Sequence, residues 1–274
     1  MALSRRQLLH AALAGTVAGA GGLAGPAVAG RRPTVYVAGD STAATYAVAD
    51  APRAGWGQAL PVFLRPGIGV VNAALSGASS KSFAELGRLD RILAAIRPRD
   101  VVLISFGHND EKAEDPARYT EPWTTFQQYL RRYLDGARAA RAHPILVTPV
   151  ERRRFRADGT PYLSHGEYPD AMRALAAETR TPLIDLTASS FALWSRLGPE
   201  ATKKHFLWLP AGQSPNYPAG VSDNTHFQAY GAIEVARLVV SEGRTLPGRD
   251  ECALRDPDIP GDVLTWPPTR PAES

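Results

Sequence analysis

Cysteine is almost absent from this chain. Its 274 residues include one, Cys252, so no disulfide can form within the chain. A protein without cross-links stands on its apolar core alone. Cys252 lies in a polar tail with no histidine beside it. It reads as structurally neutral, because a reactive thiolate needs a positive or catalytic setting. Histidine is also scarce: six residues, five of them after residue 30 and scattered, a thin supply for a metal centre. No long basic stripe is present, which argues against a nucleic-acid partner. No internal repeat is evident. The longest apolar run, Ala11 to Ala24, is too short and too rich in glycine to span a bilayer comfortably.

That run has its own reading. Arg5 and Arg6 precede it, and small residues at Ala27 and Ala29 follow it. A charged region, an apolar region and an A-x-A site make an export signal. The paired arginines favour the twin-arginine route, with cleavage expected after Ala29. Residues 1–29 are therefore excluded from the fold. Their removal lowers the formal charge from +4 to +2, so the high isoelectric point says little about partners. Residues 30–243 suit one domain with a sizeable core. Residues 244–274 are rich in proline and charge and read as an irregular extension, not as a second domain.

What the chain does contain is alternation. Apolar strand-like runs fall at Val35–Ala38, Val70–Ala73, Asp100–Gly107, Pro144–Val150 and Pro182–Leu186. Between them lie helical patterns. Phe83, Leu86, Leu89, Leu93 and Ile96 give one apolar face, and Phe126, Tyr129, Leu130, Tyr133, Leu134 and Ala137 a second. A third helix opens at Pro169, and a last one runs from about Phe227 to Ser241. Repeated alternation predicts an α/β fold with a parallel five-stranded sheet and helices on both faces. Three segments exceed what a simple connection needs: 111–123, 151–168 and 198–224. The first two follow the carboxyl ends of strands, the edge at which open α/β sheets bind ligands.

Three loops meet that edge. Ser41 follows the first strand, Gly77 the second and Asn109 the third. Adjacent strands lie ~5 Å apart, so the loop tips can converge on one ligand atom. Ser41 offers a hydroxyl nucleophile and, at a helix entry, a backbone N–H. Gly77 has no side chain to block its N–H, and Asn109 offers an amide NH₂. Three donors aimed at one point suit a tetrahedral oxyanion. A base is available in "DNTHF", where Asp223 and His226 stand three residues apart before the last helix. A turn there lets the carboxylate hold one imidazole nitrogen while the other faces Ser41. Each feature alone has an ordinary reading as a turn, a cap or a solvated helix start. No G-x-S-x-G elbow occurs, which argues against the common α/β-hydrolase arrangement.

The four blocks "GDST" (Gly39–Thr42), Gly77, "GHND" (Gly107–Asp110) and "DNTHF" resemble those of the SGNH, or GDSL-type, hydrolases. The stretches "GWGQALPVF", "VTPVERRRF", "HGEYPDAM" and "PLIDLT" add a resemblance to the rhamnogalacturonan acetylesterases. That resemblance implies a three-layer α/β/α flavodoxin-like sandwich and removal of acetyl groups from polysaccharide. It implies Ser41 as nucleophile, His226 as base and Asp223 as its orienting acid. Ser41, Gly77 and Asn109 would form the oxyanion hole, and no cofactor or metal would be needed. Many members carry arginine after the block-two glycine and again a few residues on; here those places hold Ala78 and Lys81. The sugar that is bound is therefore less constrained than the chemistry.

Other residues carry weaker readings. Asp40 is expected to cap the helix that follows it. His108, between Gly107 and Asn109, reads first as holding its loop and second as a ligand contact, and it joins Arg152, Arg154, Tyr119, Trp123 and Trp208 as candidate substrate contacts. The arginines belong to "ERRRFR" (Glu151–Arg156), which suits uronate carboxylates but also suits a solvated charge run. The aromatics lie in the long rim segments, where sugars stack or loops pack. His165 and Tyr168 are expected to pack. Two rival functions stay open: a metal-dependent phosphoesterase using Asp40, Asn109, Asp110 and His226, and a non-catalytic carbohydrate-binding protein. The expectation is a secreted, monomeric serine esterase acting on an acetylated polysaccharide or oligosaccharide, without stable membrane association.

Overall fold

The computed structural model describes residues 32–243 and 264–268. The expected export segment, Cys252 and most of the tail lie outside the described residues. Five parallel strands form the central sheet: β1 (Thr34–Gly39), β3 (Gly69–Asn72), β4 (Val101–Ser105), β5 (His143–Val147) and β6 (Leu183–Ile184). Their order is β3-β1-β4-β5-β6. This is the flavodoxin-like order, with β1 and β4 adjacent where the winding reverses. Each strand lies within a few residues of its predicted run.

Alternation along β1 builds the layers. Val35 and Val37 point into one apolar cluster, with Trp56, Phe63, Trp194 and Ile233. Tyr36 and Ala38 point into the other, with Phe83, Ile92, Leu130 and Met172. Successive strand residues face opposite sides of a sheet, so a continuous apolar run is stable only when both sides are covered. One cover is α1 (Trp56–Ala59), α6 (Leu186–Ala201) and α7 (Ala229–Gly243). The other is α2 (Ser80–Glu85), α3 (Arg88–Ala95), α4 (Gln127–Ala139) and α5 (Tyr168–Thr179). The fold is the three-layer α/β/α sandwich. Phe83, Phe106 and Tyr133 interlock beneath the carboxyl edge, with ring centroids 5.4 Å apart for both Phe106 pairs. Burying each such side chain contributes about 1.5–3 kcal/mol.

Several elements differ from expectation. The apolar face from Phe83 to Ile96 belongs to two helices, broken at Gly87, whose φ of 70° is left-handed. Leu86, at the break, is 59% exposed and not on the buried face. A second, antiparallel sheet joins β2 (Arg53–Ala54), β8 (Val221–Gln228) and β7 (Phe206–Leu209) in the order β2-β8-β7. Phe227 lies in β8, not at a helix start, and packs on Phe206 at 5.2 Å. The last helix begins at Ala229. Residues 264–268 lie along β2 and α1: Trp266 Nε1 donates to Arg53 O at 2.8 Å, and Gln58 Nε2 to Thr265 O at 3.0 Å. Among the described residues no helix is long and apolar enough to cross a membrane.

Candidate active site

β1 ends at Gly39, and the chain turns at once. Asp40 is 1% exposed. Its Oδ1 accepts from the Thr42 amide at 2.8 Å and the Thr42 hydroxyl at 2.7 Å. Its carbonyl accepts from the amides of Ala43 and Ala44. The Ser41 carbonyl accepts from Tyr46 Oη at 2.7 Å. Ser41 therefore sits on a single turn held from both sides. No helix follows directly, since the next helical segment starts at Val48. The expected helix entry at Ser41, and the cap assigned to Asp40, are corrected to this isolated turn.

The expected base, His226, comes from β8 by way of a bulge. Phe206 pairs with Phe227, but Trp208 pairs with Ser222, so Asp223 through His226 are looped out of the ladder. Bulges bend a strand and re-aim its side chains. Asp223 Oδ1 accepts from the amides of Thr225 at 2.7 Å and His226 at 2.9 Å. Its Oδ2 lies 2.7 Å from His226 Nδ1, and His226 Nε2 lies 2.9 Å from Ser41 Oγ. With Nδ1–H donated to the carboxylate, Nε2 is left to accept from the serine hydroxyl. Burial would raise the Asp223 carboxyl, but the imidazole and the two amides outweigh it and bring it down to about 2. The expected helix-start position of His226 is corrected to this bulge.

The two remaining loops are locked together. Asn109, 4% exposed, donates from Nδ2 to Ala78 O at 2.9 Å. An amide nitrogen carries two hydrogens, and this bond uses one. Its Oδ1 accepts from Arg118 at 3.5 Å. Asp110 accepts from the Ser80 amide at 3.0 Å, the Ser80 hydroxyl and the Thr120 hydroxyl at 3.1 Å. Burial outweighs these donors and pushes the Asp110 carboxyl up to about 7. Consecutive residues after β4 thus grip the loop that carries Gly77. Gly77 has φ +83°, and a Cβ there would meet nothing within 4 Å. Glycine is demanded by the backbone, and the space beside it is open. Gly107 is constrained twice, by a φ of +151° and by Pro149, whose Cγ would lie 2.8 Å from any Cβ at that position.

Three of the six expected substrate contacts are placed elsewhere. His108 is buried at 3% exposure. Arg152 turns inward: it pairs with Glu111 and donates to Ser164 O at 3.2 Å and His108 O at 3.4 Å. Trp208 gives its indole N–H to Asn224 at 3.0 Å, with Arg153 4.6 Å and Lys203 5.0 Å from its ring centroid. A ring engaged in this way is a prop for the bulge and not a sugar platform. Arg154 is exposed, Trp123 is 44% exposed, and Tyr119 is half-buried with its hydroxyl on Glu121. The four residues of the metal reading each have another engagement: Asp40 accepts from Thr42, Asp110 from Ser80 and Thr120, Asn109 donates to Ala78, and His226 lies against Asp223. Among the described residues no three His, Cys, Asp or Glu converge as a metal site.

Arg153 touches the bulge that carries Asp223 and His226, and the sequence reading did not single it out. Its amide donates to Asn224 O at 2.8 Å and its Nη1 to Asn224 Oδ1 at 3.0 Å. It therefore anchors the residue beside Asp223. Its place in a run of arginines hid it, because nothing local distinguishes an inward arginine from a solvated one. His165 and Tyr168 pack, as expected. His165 Nε2 lies 2.9 Å from Val150 O, and Tyr168 Oη donates to Asp110 O at 2.9 Å.

Residues 37–232 match the GDSL-like Lipase/Acylhydrolase family. The chain is 46% identical over 224 residues to rhamnogalacturonan acetylesterase RhgT of Bacillus subtilis, covering 81% of this chain and 95% of that one. A second B. subtilis protein, named as a probable rhamnogalacturonan acetylesterase, YesY, is 42% identical over 75% of this chain and 89% of its own. The crystal structure of B. subtilis protein YXIM superposes with a TM-score of 0.67 at 31% identity, covering 78% of this chain and 56% of that one.

Proposed function

We propose that this chain, which belongs to the GDSL-like lipase/acylhydrolase family and is a carboxylic ester hydrolase, removes O-acetyl groups from rhamnogalacturonan. The observation that carries the reading is the line from Ser41 Oγ to His226 Nε2 at 2.9 Å and from His226 Nδ1 to Asp223 Oδ2 at 2.7 Å. Ser41 Oγ attacks the acetyl carbonyl carbon while its proton passes to His226 Nε2. The imidazolium so formed faces a carboxylate already held ionised, which lowers the cost of charging the ring. The carbonyl oxygen becomes an oxyanion, received by the amides of Ser41 and Gly77 and the free Asn109 hydrogen. Collapse expels the sugar hydroxyl, which takes the proton back from His226. Water then attacks the carbonyl carbon of the acetyl group left on Ser41 and gives a proton to His226. Collapse of this second intermediate breaks the bond to Ser41 Oγ, which takes the proton back from His226, and acetate leaves.

The choice of polymer is supported by the names of the two Bacillus relatives. Arg154, Tyr119 and Trp123 are the proposed sugar contacts, since they keep exposed surface on the long rim loops. The test is acetate release from acetylated rhamnogalacturonan, acetylated xylan and other acetylated pectins. Rhamnogalacturonan is expected to be the best substrate, and a clear preference for xylan overturns that choice. Ser41→Ala is expected to cut kcat by roughly 10³-fold or more with an unchanged Tm. Equal rates in variant and wild type end the serine-esterase reading.

The enzyme acts outside the cytoplasm, exported as one chain through a twin-arginine signal. Support comes from Arg5-Arg6, the apolar run and Ala27-x-Ala29. N-terminal sequencing of protein recovered from culture medium is expected to begin at Gly30. Retention of the full chain in the cytoplasm would overturn export.

A further inference from the structure

Two of the buried side-chain nitrogens that lack a hydrogen-bond partner belong to one ring, His108, beside the nucleophile turn. Buried polar atoms are nearly always satisfied, so an orphan ring in this position calls for a reason. The acceptor in reach is Asp40, whose Oδ2 lies 3.3 Å from His108 Nδ1 with both side chains almost fully buried. The other oxygen of that carboxylate holds the Thr42 amide and hydroxyl. Asp40 therefore stands between the imidazole and the turn that presents Ser41.

The surroundings determine the state of the ring. His165 packs edge-on at 4.4 Å between centroids. Glu111 Oε2 holds His165 Nδ1 at 3.1 Å, and Arg152 donates to the His108 carbonyl. Burial holds His108 down to about 4; Asp40 pulls it up, and His165 and Arg152 push it further down. The charged and titratable groups around it are thus Asp40, His165, Arg152 and Glu111. A neutral imidazole has a single N–H. Placed on Nδ1 it meets a carboxylate, whereas on Nε2 it meets no acceptor.

We propose that His108 is a positioning residue for ester hydrolysis: its Nδ1–H braces the Asp40 carboxylate, which in turn fixes the Thr42 amide and keeps Ser41 Oγ on His226. The inference rests on Ser41 as nucleophile. It separates His108 from the candidate sugar contacts and gives it a role that requires a neutral ring.

Amide side chains allow a test by rescue, since an asparagine Nδ2 takes the place of the imidazole Nδ1 and a glutamine Nε2 that of the imidazole Nε2. His108→Leu keeps bulk without a donor and is expected to lower kcat roughly 10- to 100-fold with KM little changed. His108→Asn is expected to recover most of that loss, and His108→Gln little of it. A wild-type kcat in His108→Leu overturns the proposal, as does an equal effect of all three substitutions in folded proteins. Should the variants fail to fold, ¹⁵N-histidine NMR of the wild-type enzyme decides. A neutral Nδ1–H tautomer for His108 between pH 5 and 8 supports the brace, and an Nε2–H tautomer or an imidazolium overturns it. The Ser41→Ala assay is separate: activity that survives there removes the nucleophile, whereas full activity in His108→Leu removes only the brace.

Discussion

Two aspartate–histidine pairs flank Ser41, and they are opposites. Asp223 and His226 are 2.7 Å apart, about a quarter exposed, on a bulge of β8. Asp40 and His108 are 3.3 Å apart, nearly sealed, on the turn after β1 and the loop after β4. The half-buried imidazole of His226 has an ionised carboxylate on one nitrogen and the serine hydroxyl on the other. The sealed imidazole faces a carboxylate too, but burial dominates and keeps it neutral. On the proposed mechanism the same two residue types supply a mobile proton on one side of the serine and a stationary prop on the other. Exposure, more than identity, separates the roles.

The comparison can be broken at the half-buried pair first. Asp223→Asn leaves an amide where His226 needs a carboxylate, so the ring loses its orientation and its charge partner. A fall in kcat of roughly 10³- to 10⁴-fold is expected, with KM within a few-fold, measured on an acetyl ester at pH 7. A loss under 10-fold would make the two pairs equivalent. Next in size is Arg153→Ala. It frees Asn224 from the loop after β5 and loosens the bulge, so kcat is expected to fall several-fold with little change in KM. An unchanged kcat would show that the bulge holds itself. The smallest effect is on stability. Asp223 is held at about 2 in the folded protein against an ordinary 3.8, so its contribution is complete above about pH 4 and disappears as pH falls toward 2. The Tm advantage of wild type over Asp223→Asn is expected to shrink by a few degrees across that window. A constant difference would mean that the carboxylate is not stabilised by folding.

The sealed pair is the harder of the two to read in the chain. Asp223 and His226 stand three residues apart, a spacing that invites pairing. Asp40 and His108 are separated by β2, β3 and β4, and their contact exists only because β1 and β4 are neighbours, with Gly39 opposite Ser105. Arg152 and Arg153 show the same limit. Both sit in a run that reads as solvated, yet one pairs with Glu111 and the other clamps Asn224. Side-chain direction on an irregular loop follows from partners far along the chain. Strand β7 was hidden for another reason: "FLWL" is an apolar run, but it needs β8 beside it, and β8 carries polar residues through its bulge.

The amino-acid order by itself determined the central sheet, its helical covers and the chemical identity of Ser41, Asp223 and His226. Those properties are local: a period of two or of nearly four residues, a turn after a strand, a short spacing. Tertiary structure alone decided which histidine reaches Ser41 and which is sealed against Asp40, and which arginines turn inward. Those outcomes depend on desolvation and on charges brought together across the sheet edge, and neither quantity exists until the layers close.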